Sequence, residues 1–225
     1  MGSKTVIGFV AMSLLGACSS TGSSGSSGSS DNASAGTEPK ATLADTTTTA
    51  ADASTTATAA AAPSALFDFA DAASATGWAT QNDTVMGGVS QSTSTWANGQ
   101  LVFQGTLSLE NNGGFTSLVS PIDEQLGQRA VGASAIVIDA LGDGKTYVLQ
   151  LRGADQTRFI QRFATVAGTQ QKYVLPIDKF EAVTSFLDPV ANAAPIELAN
   201  IRQVALYLLD KQAGEFELAV TSISR

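Results

Sequence analysis

Two polar loops, residues 82–90 and 110–115, hold the side chains best suited to chemistry in this chain of 225 residues. Each loop contains a Gly-Gly pair beside carboxylate and amide side chains. Glycine lets other backbone come close, and Asn and Asp bond to the backbone of tight turns. We predict that the loops lie side by side at one end or edge of the fold, with Asp83 accepting backbone N–H groups. They are either binding loops on a rigid scaffold or only well-made turns.

Three carboxylates in these loops and in a C-terminal stretch are candidates for acid–base chemistry: Asp83, Glu110 and Asp210. Two of them could hydrolyse a glycosidic bond across a cleft. Otherwise Asp83 caps a turn and Asp210 pairs with Lys211. We expect no cofactor and no bound metal; the alternative is a structural calcium held by Asp and backbone oxygens, although no EF-hand-like run is present. The full set of candidate binding or structural residues is Asn82, Asp83, Gly87, Gly88, Ser90, Glu110, Asn111, Asn112, Gly113, Gly114, Asp210 and Lys211.

Three arginines form a candidate anion-binding or sugar-binding face: Arg152, Arg158 and Arg162. They lie on two successive strand candidates, where alternate residues share a face. If the strands pair as a hairpin, the guanidinium groups share one surface and offer fixed forks of donors. The alternative is a solvated face with carboxylate partners. Trp78 and Trp96 either stack on a sugar ring or, as is commoner, are buried in the core.

The residues that are missing exclude several classes of protein. The chain has no histidine and one cysteine, so His-based triads and the usual zinc sites are excluded. No glycine-rich phosphate loop opens a helix. The formal net charge is −8, whereas non-specific binding to nucleic acid requires a basic surface. We therefore expect no nucleic-acid partner and no catalytic residue of a recognised type.

The polar loops resemble those of the complex I intermediate-associated protein family. The resemblance rests on Trp78 and on three ordered stretches, residues 82–90, 103–115 and 210–216, and it covers residues 66–225. It implies a β-sandwich of the galactose-binding, jelly-roll type. It also implies a link to the assembly of respiratory complex I, which the mitochondrial members assist. It supplies no catalytic residue.

Short apolar or alternating runs predict strands along the same region and no long helix. Asn98-Gly99 predicts a type I′ hairpin turn, Gly105 a bulge or a close backbone approach, and residues 177–182 a single helical turn. Many short strands predict an all-β sandwich or jelly roll. The predicted strands are residues 66–69, 94–96, 101–109, 115–119, 135–139, 145–152, 158–163, 172–175, 204–209 and 216–223.

The N-terminal residues predict secretion and lipid anchoring. Residues 1–17 read as a signal peptide that ends in a lipobox, so that Cys18 becomes the lipidated residue. Residues 18–65 are rich in Ser, Thr, Ala and Gly, which predicts a disordered linker. By resemblance to other lipoproteins, Ser19 after the lipidated cysteine favours the outer membrane over retention in the inner membrane. We expect a protein of the bacterial cell envelope that is attached through lipid and faces the periplasm.

Together these observations predict a lipid-anchored, non-catalytic binding or assembly module in residues 66–225. Its partner would be an envelope protein or a glycan, and the membrane is reached through the anchor. The alternative is a carboxylate-dependent glycan hydrolase. From the periplasmic side only membrane-arm subunits of complex I would be accessible, so the resemblance indicates the fold more strongly than the assembly role.

Overall fold

The computed structural model describes residues 64–225. The predicted signal peptide, Cys18 and the linker up to residue 63 lie outside the described residues. Within the described part no helix is long and apolar enough to cross a membrane.

The described residues form two antiparallel sheets of six strands each. The first sheet has the order β3-β4-β12-β6-β9, and β1 also pairs with β12. Its strands are β1 Ala65–Asp68, β3 Gln91–Ala97, β4 Gln100–Leu107, β6 Ala135–Leu141, β9 Gln170–Pro176 and β12 Gly214–Ser224. The second sheet has the order β10-β8-β7-β11-β5-β2. Its strands are β2 Ala79–Asn82, β5 Thr116–Val119, β7 Thr146–Gly153, β8 Arg158–Ala164, β10 Glu181–Val183 and β11 Ile201–Leu208.

Helical structure is confined to short segments between the strands. The α-helix α1 spans Leu126–Ala130, and five 3-10 turns span Ala72–Ala75, Asp83–Met86, Glu110–Asn112, Ile177–Lys179 and Leu198–Asn200.

One hydrophobic core lies between the two sheets. The first sheet contributes Phe103 and Ile138, and the second contributes Leu149 and Leu206, all fully buried. Alternate residues of β7 point the other way, so Val148 joins a smaller apolar cluster on the outer face of the second sheet. Because a strand presents alternate side chains to opposite faces, polar residues interleaved with the core set populate that outer face. The predicted all-β sandwich is confirmed.

Several local predictions are confirmed and others are wrong. Asn98 and Gly99 both have positive φ, as a type I′ turn requires. A Cβ on Gly105 would lie 2.0 Å from the Gln91 carbonyl oxygen, and the ladders on both sides keep register, so this glycine marks a close approach and not a bulge. The helical turn predicted for residues 177–182 ends at Lys179 and is followed by β10. The edge strands β2 and β10 and the helix α1 were not predicted.

Candidate functional site

The two polar loops are two of the connections that carry the chain from one sheet to the other. Residues 83–90 lead from β2 in the second sheet to β3 in the first, and residues 108–115 lead from β4 in the first sheet to β5 in the second. Because β2 pairs with β5 and β3 pairs with β4, both crossings run side by side. The predicted adjacency of the loops is confirmed. We call this pair of crossings the interloop joint.

Asp83 lies at the centre of the interloop joint and is fully buried. Its Oδ1 accepts the Ser90 N–H at 3.0 Å, and its Oδ2 accepts the Ser90 hydroxyl at 2.6 Å. From the second loop, Oδ2 accepts the backbone N–H groups of Gly114 at 2.7 Å and Phe115 at 3.4 Å. One carboxylate therefore binds both crossings, as the sequence predicted.

The electrostatics of Asp83 follow from the same contacts. Burial opposes the charged form, but hydrogen bonds from the Ser90 hydroxyl and from the N–H groups of Gly114, Ser90 and Phe115 outweigh it. They hold the pKa of Asp83 below its ordinary value. A carboxylate that is ionised, buried and saturated with donors is a structural anchor and cannot act as a general acid near neutral pH.

The glycine pairs are shaped around this carboxylate. A Cβ on Gly88 would lie 2.3 Å from the Asp83 Cγ, and a Cβ on Gly113 would lie 2.6 Å from its Oδ2. The other member of each pair has positive φ, +91° at Gly87 and +132° at Gly114. In each pair, one glycine turns the chain and the other makes room for Asp83.

The amide beside Asp83 extends the joint to the neighbouring strands. The Asn82 Oδ1 accepts the hydroxyls of Ser92 and Thr116, both at 2.6 Å. The hydroxyl oxygens of Thr116 and Ser92 are themselves only 2.7 Å apart. Ser92 belongs to β3 and Asn82 to β2, which are edge strands of the first and second sheets, so this network links the edges of the two sheets.

The third family-like stretch forms the turn between β11 and β12, where Asp210 and Lys211 both have positive φ. Gln212 reaches across the turn to the start of β7, accepting the Thr146 N–H at 2.8 Å and donating to the Thr146 carbonyl at 2.7 Å. Asp210 makes a bidentate ion pair with Arg162, in which Nε donates to Oδ2 at 2.8 Å and Nη2 donates to Oδ1 at 3.0 Å. The expected pairing of Asp210 with Lys211 is wrong, because the strand register brings Arg162 to this turn.

The predicted hairpin of the arginines is confirmed. Strands β7 and β8 pair antiparallel, and Arg152 lies directly opposite Arg158 on the outer face of the second sheet. Arg162 is four residues further along β8, about 13 Å away at the usual strand rise, and it is neutralised by Asp210. The structure therefore brings together two of the three predicted arginines.

Arg152 is held in a frame of neutral acceptors. Its Nε donates to the Gln150 Oε1 at 2.6 Å, its Nη1 to the Gln203 Oε1 at 3.0 Å and its Nη2 to the Tyr207 hydroxyl at 2.7 Å. Arg158 donates only to the Gln156 carbonyl oxygen, at 2.9 Å. The first guanidinium is thus fixed in orientation, whereas the second keeps most of its donors for other partners.

Two pockets meet at these arginines. The first, of about 380 Å³, we call the aromatic pocket; it is lined by Gln81, Met86, Phe115, Arg152, Arg158, Ser185, Phe186, Leu187 and Tyr207. The second, of about 330 Å³, we call the polar pocket; it is lined by Ile122, Glu124, Arg152, Gly153, Ala154, Gln156, Thr157, Arg158, Arg202 and Gln203. A larger cleft of about 1020 Å³ beside Phe180 is mostly apolar, and its charged residues are Asp178 and Glu181. The arginine pair and its two pockets therefore offer the richer recognition chemistry.

The loop after β10 builds one wall of the aromatic pocket. The Thr184 hydroxyl accepts the N–H groups of Phe186 and Asp188, each at 3.2 Å. Leu187, with a strained φ of +67°, packs onto the apolar cluster of the outer face. Phe186 is left 80% exposed at the rim of the pocket. The interloop joint contributes Met86 and Phe115 to the lining of the same pocket.

A family model described as complex I intermediate-associated protein 30 matches residues 67–220. The chain belongs to this family. The matched region contains the interloop joint, the Asp210 turn and the arginine pair of the outer face. No curated protein matches the sequence.

Solved structures of similar fold include sugar-binding proteins. The family 11 carbohydrate-binding module of the cellulosomal cellulase Lic26A-Cel5E of Clostridium thermocellum shares 10% identity at a TM-score of 0.51, covering 72% of this chain and 94% of that one. The solution structure of CtCBM11 shares 12% identity at a TM-score of 0.50, with coverage of 74% and 96%. The agarase AgWH50C shares 13% identity at a TM-score of 0.50, covering 72% of this chain but only 24% of the agarase. These likenesses show the fold.

The tryptophans and the remaining carboxylate lie elsewhere. Trp78 is 7% exposed and packs edge-on against Phe67 and Phe69, with ring centroids 5.2 and 5.5 Å apart, so it is a core residue. Trp96 is 40% exposed on β3 of the first sheet and donates to the Phe69 carbonyl at 2.8 Å, so the favoured expectation of a buried tryptophan is wrong for this residue. Glu110 is exposed in the interloop joint. Within residues 64–225 no three acidic, cysteine or histidine side chains gather into a metal-binding group.

Sequence reasoning found the arginines but missed the residues that make them a site. Phe186 and Tyr207 were not singled out, nor were the glutamines at 81 and 203. One signal was present: the stretch Ser185-Phe186-Leu187-Asp188 places two large apolar residues in a turn composition. An aromatic residue in such a turn is either exposed or packed by a neighbour, and here Leu187 packs while Phe186 remains exposed.

Proposed function

We propose that residues 64–225 form a non-catalytic glycan-binding module, and that its binding surface is the outer face of the second sheet around Arg152 and Arg158. The observation that carries this proposal is the composition of the aromatic pocket. Phe186 and Tyr207 offer ring faces, while Arg158 and Gln81 offer hydrogen-bond donors in the same cavity. A sugar ring presents apolar C–H faces and a rim of hydroxyls, so it requires both kinds of contact.

The fold of the solved structures supports the same proposal. Two of the similar structures are named as carbohydrate-binding modules, and this chain covers nearly their whole length. The shared fold provides a rigid sheet with an open outer face. The ligand itself must be argued from this chain's own residues, because the identity is only 10 to 12%.

A carboxylate-dependent hydrolase is the weaker proposal for the described residues. Asp83 is buried and accepts hydrogen bonds from both crossings, and Asp210 is held by the Arg162 guanidinium. Neither is available to protonate a leaving group or to activate water. Of the three candidate carboxylates only the exposed Glu110 is left, whereas hydrolysis requires a pair, so the function we favour is glycan binding without cleavage.

We also propose that Cys18 anchors the protein by lipid in the bacterial envelope, on the outer membrane and facing the periplasm. The part of the predicted linker before residue 64 would then separate the module from the membrane. In this arrangement the module retains a glycan near the surface, and an envelope protein is the competing partner. An assembly role for complex I remains a narrower hypothesis, which the family's name alone suggests.

The test is a glycan array followed by calorimetry with the full chain. We expect binding to at least one class of polysaccharide. Phe186→Ala should weaken it by about tenfold, the order of loss for one aromatic contact. Val174→Ala is the matched control, because Val174 is 60% exposed on β9 of the first sheet. A module that binds no glycan, or that loses binding equally in both variants, would contradict the proposal.

A further inference from the structure

Arg152 and Arg158 carry positive charge that the protein itself does not balance. They lie directly opposite each other on paired strands, an arrangement of like charges that is unfavourable. Within residues 64–225 three arginines, Arg129, Arg162 and Arg202, each form an ion pair with a carboxylate. Arg152 and Arg158 form none, and neither does Arg225, which lies on another part of the molecule. The contrast is notable because the whole chain has a formal charge of −8.

The partners of Arg152 fix its position without neutralising it. All three hydrogen bonds from its guanidinium go to neutral acceptors, on Gln150, Gln203 and Tyr207. A guanidinium has five N–H donors, so two remain for a ligand. Arg158 uses one of its donors on a backbone carbonyl and keeps four. This polar cluster therefore has more donors than acceptors.

A buried amide adds to that excess. Gln150 is 1% exposed, and its Oε1 is occupied by the Arg152 Nε. Its Nε2 is buried without an acceptor in the described part of the chain. Buried donors are normally paired, so the cluster is short of an acceptor. An anion bound to Arg152 would bring negative charge next to this group.

We propose that the glycan bound by this module is anionic, with a carboxylate or sulfate group held between Arg152 and Arg158. This inference rests on the proposed glycan-binding function. Both arginines line both the aromatic and the polar pocket, so an acidic sugar at their junction has room for neighbouring sugars on either side. Planar guanidinium forks suit oxyanions, and hydrogen bonds to a charged group are the stronger kind.

The experiment compares polymers that differ only in charge. Polygalacturonate and its fully methyl-esterified form share a backbone, and a sulfated galactan and its desulfated form are a second pair. Affinities of the full chain are measured at low and at high salt. We expect one acidic member to bind at least about tenfold more tightly than its neutral partner. The pair that shows the preference identifies carboxylate or sulfate as the recognised group.

Arg158→Gln tests the assigned residue. It should reduce affinity for the acidic polymer about ten- to a hundredfold and affinity for the neutral polymer much less, because the glutamine keeps hydrogen-bond donors but not the charge. Arg225→Gln is the matched control, since Arg225 also donates one hydrogen bond to a backbone carbonyl, that of Val131 on another part of the molecule. Arg158→Lys should restore part of the preference, because it keeps the charge but not the fork.

The outcomes separate the two proposals. Equal affinity for both members of each pair, with Phe186→Ala still damaging, would overturn the anionic ligand and leave glycan binding intact. Equal losses of affinity for the acidic polymer in Arg158→Gln and Arg225→Gln would mean that the polymer is attracted by positive charge in general. This result would also overturn the assignment of Arg158. Failure to bind any of the polymers or any array glycan would refute both.

Discussion

Removing the Asp83 carboxylate is the sharpest test of the interloop joint. Asp83→Ala leaves four donors without their acceptor: the Ser90 N–H and hydroxyl and the N–H groups of Gly114 and Phe115. Each unsatisfied buried donor costs about 1–3 kcal/mol. The Ser90 hydroxyl already lies 3.3 Å from the Ser108 carbonyl oxygen, and the Phe115 bond is long at 3.4 Å, so these two losses are small.

We therefore expect Asp83→Ala to lower the free energy of unfolding by about 3–4 kcal/mol. This change is a large part of the total free energy of unfolding of a typical domain, which is roughly 5–15 kcal/mol. Urea unfolding followed by tryptophan fluorescence measures the change, because Trp78 lies in the core.

Two further variants control that measurement. Asp83→Asn keeps one acceptor oxygen and should cost about half as much. Asp71→Ala removes an exposed carboxylate that caps a 3-10 turn through the Ala73 N–H, and should cost about 1 kcal/mol or less. A loss below about 1 kcal/mol for Asp83→Ala, comparable to that of Asp71→Ala, would refute the assignment of Asp83 as the anchor of both crossings.

Three other predictions concern pH, packing and anchoring. The pKa of Asp83 in the native state lies below the unfolded value near 3.9, so the stability that its carboxylate adds is complete above that value and is lost as the pH falls through the native pKa. The difference in unfolding free energy between the wild type and Asp83→Asn should therefore disappear in acid. A difference that does not change with pH would contradict this. Gly88→Val should destabilise the fold at least as much as Asp83→Ala, because the valine Cβ would overlap the Asp83 carboxylate. Gly87→Ala should cost about 1 kcal/mol, because Gly87 has a φ of +91° but open space around it. Equal shifts in melting temperature for Gly88→Val and Gly87→Ala would argue against close packing at Gly88. Cys18→Ser should abolish acyl labelling and release the protein from membranes, and unchanged membrane fractionation would count against the anchor.

The sequence was most informative where local chemistry determines the outcome. Asn98-Gly99 fixes a turn through two positive φ angles, and Gly105 is a glycine because the Gln91 carbonyl approaches it. The adjacency of the polar loops was predictable from their shared composition. Alternation along β7 and β8 was enough to place Arg152 and Arg158 on one face.

The sequence was less informative about strands and ion pairs that depend on contacts between distant parts of the chain. The edge strand β2 has the sequence Ala-Thr-Gln-Asn, with no apolar alternation, and it exists because β5 offers its backbone as a partner. Likewise, the partner of Asp210 is set by the register of β8 against β7, which brings Arg162 to the turn instead of the adjacent Lys211.

The candidate site depends on contacts between distant segments. Phe186 comes from the loop after β10, Tyr207 from β11 and Met86 from the interloop joint. No spacing in the sequence relates these three positions. The structure was also needed to tell residues that anchor the fold from residues that are free to bind a ligand, because only burial distinguishes Asp83 from the exposed carboxylates. Two of the stretches that carry the family resemblance form the interloop joint, while most of the proposed ligand contacts lie outside those stretches.

The most direct test of the central claim is to locate the ligand by nuclear magnetic resonance. The full chain is titrated with the tightest-binding glycan while backbone amides and arginine Nε–H groups are observed. The largest shift changes should fall on Arg152, Arg158 and Tyr207 and on the loop that carries Phe186, with little change along β3 and β9 of the first sheet. Changes centred on the first sheet, or confined to the buried contacts of Asp83, would contradict the proposed binding face.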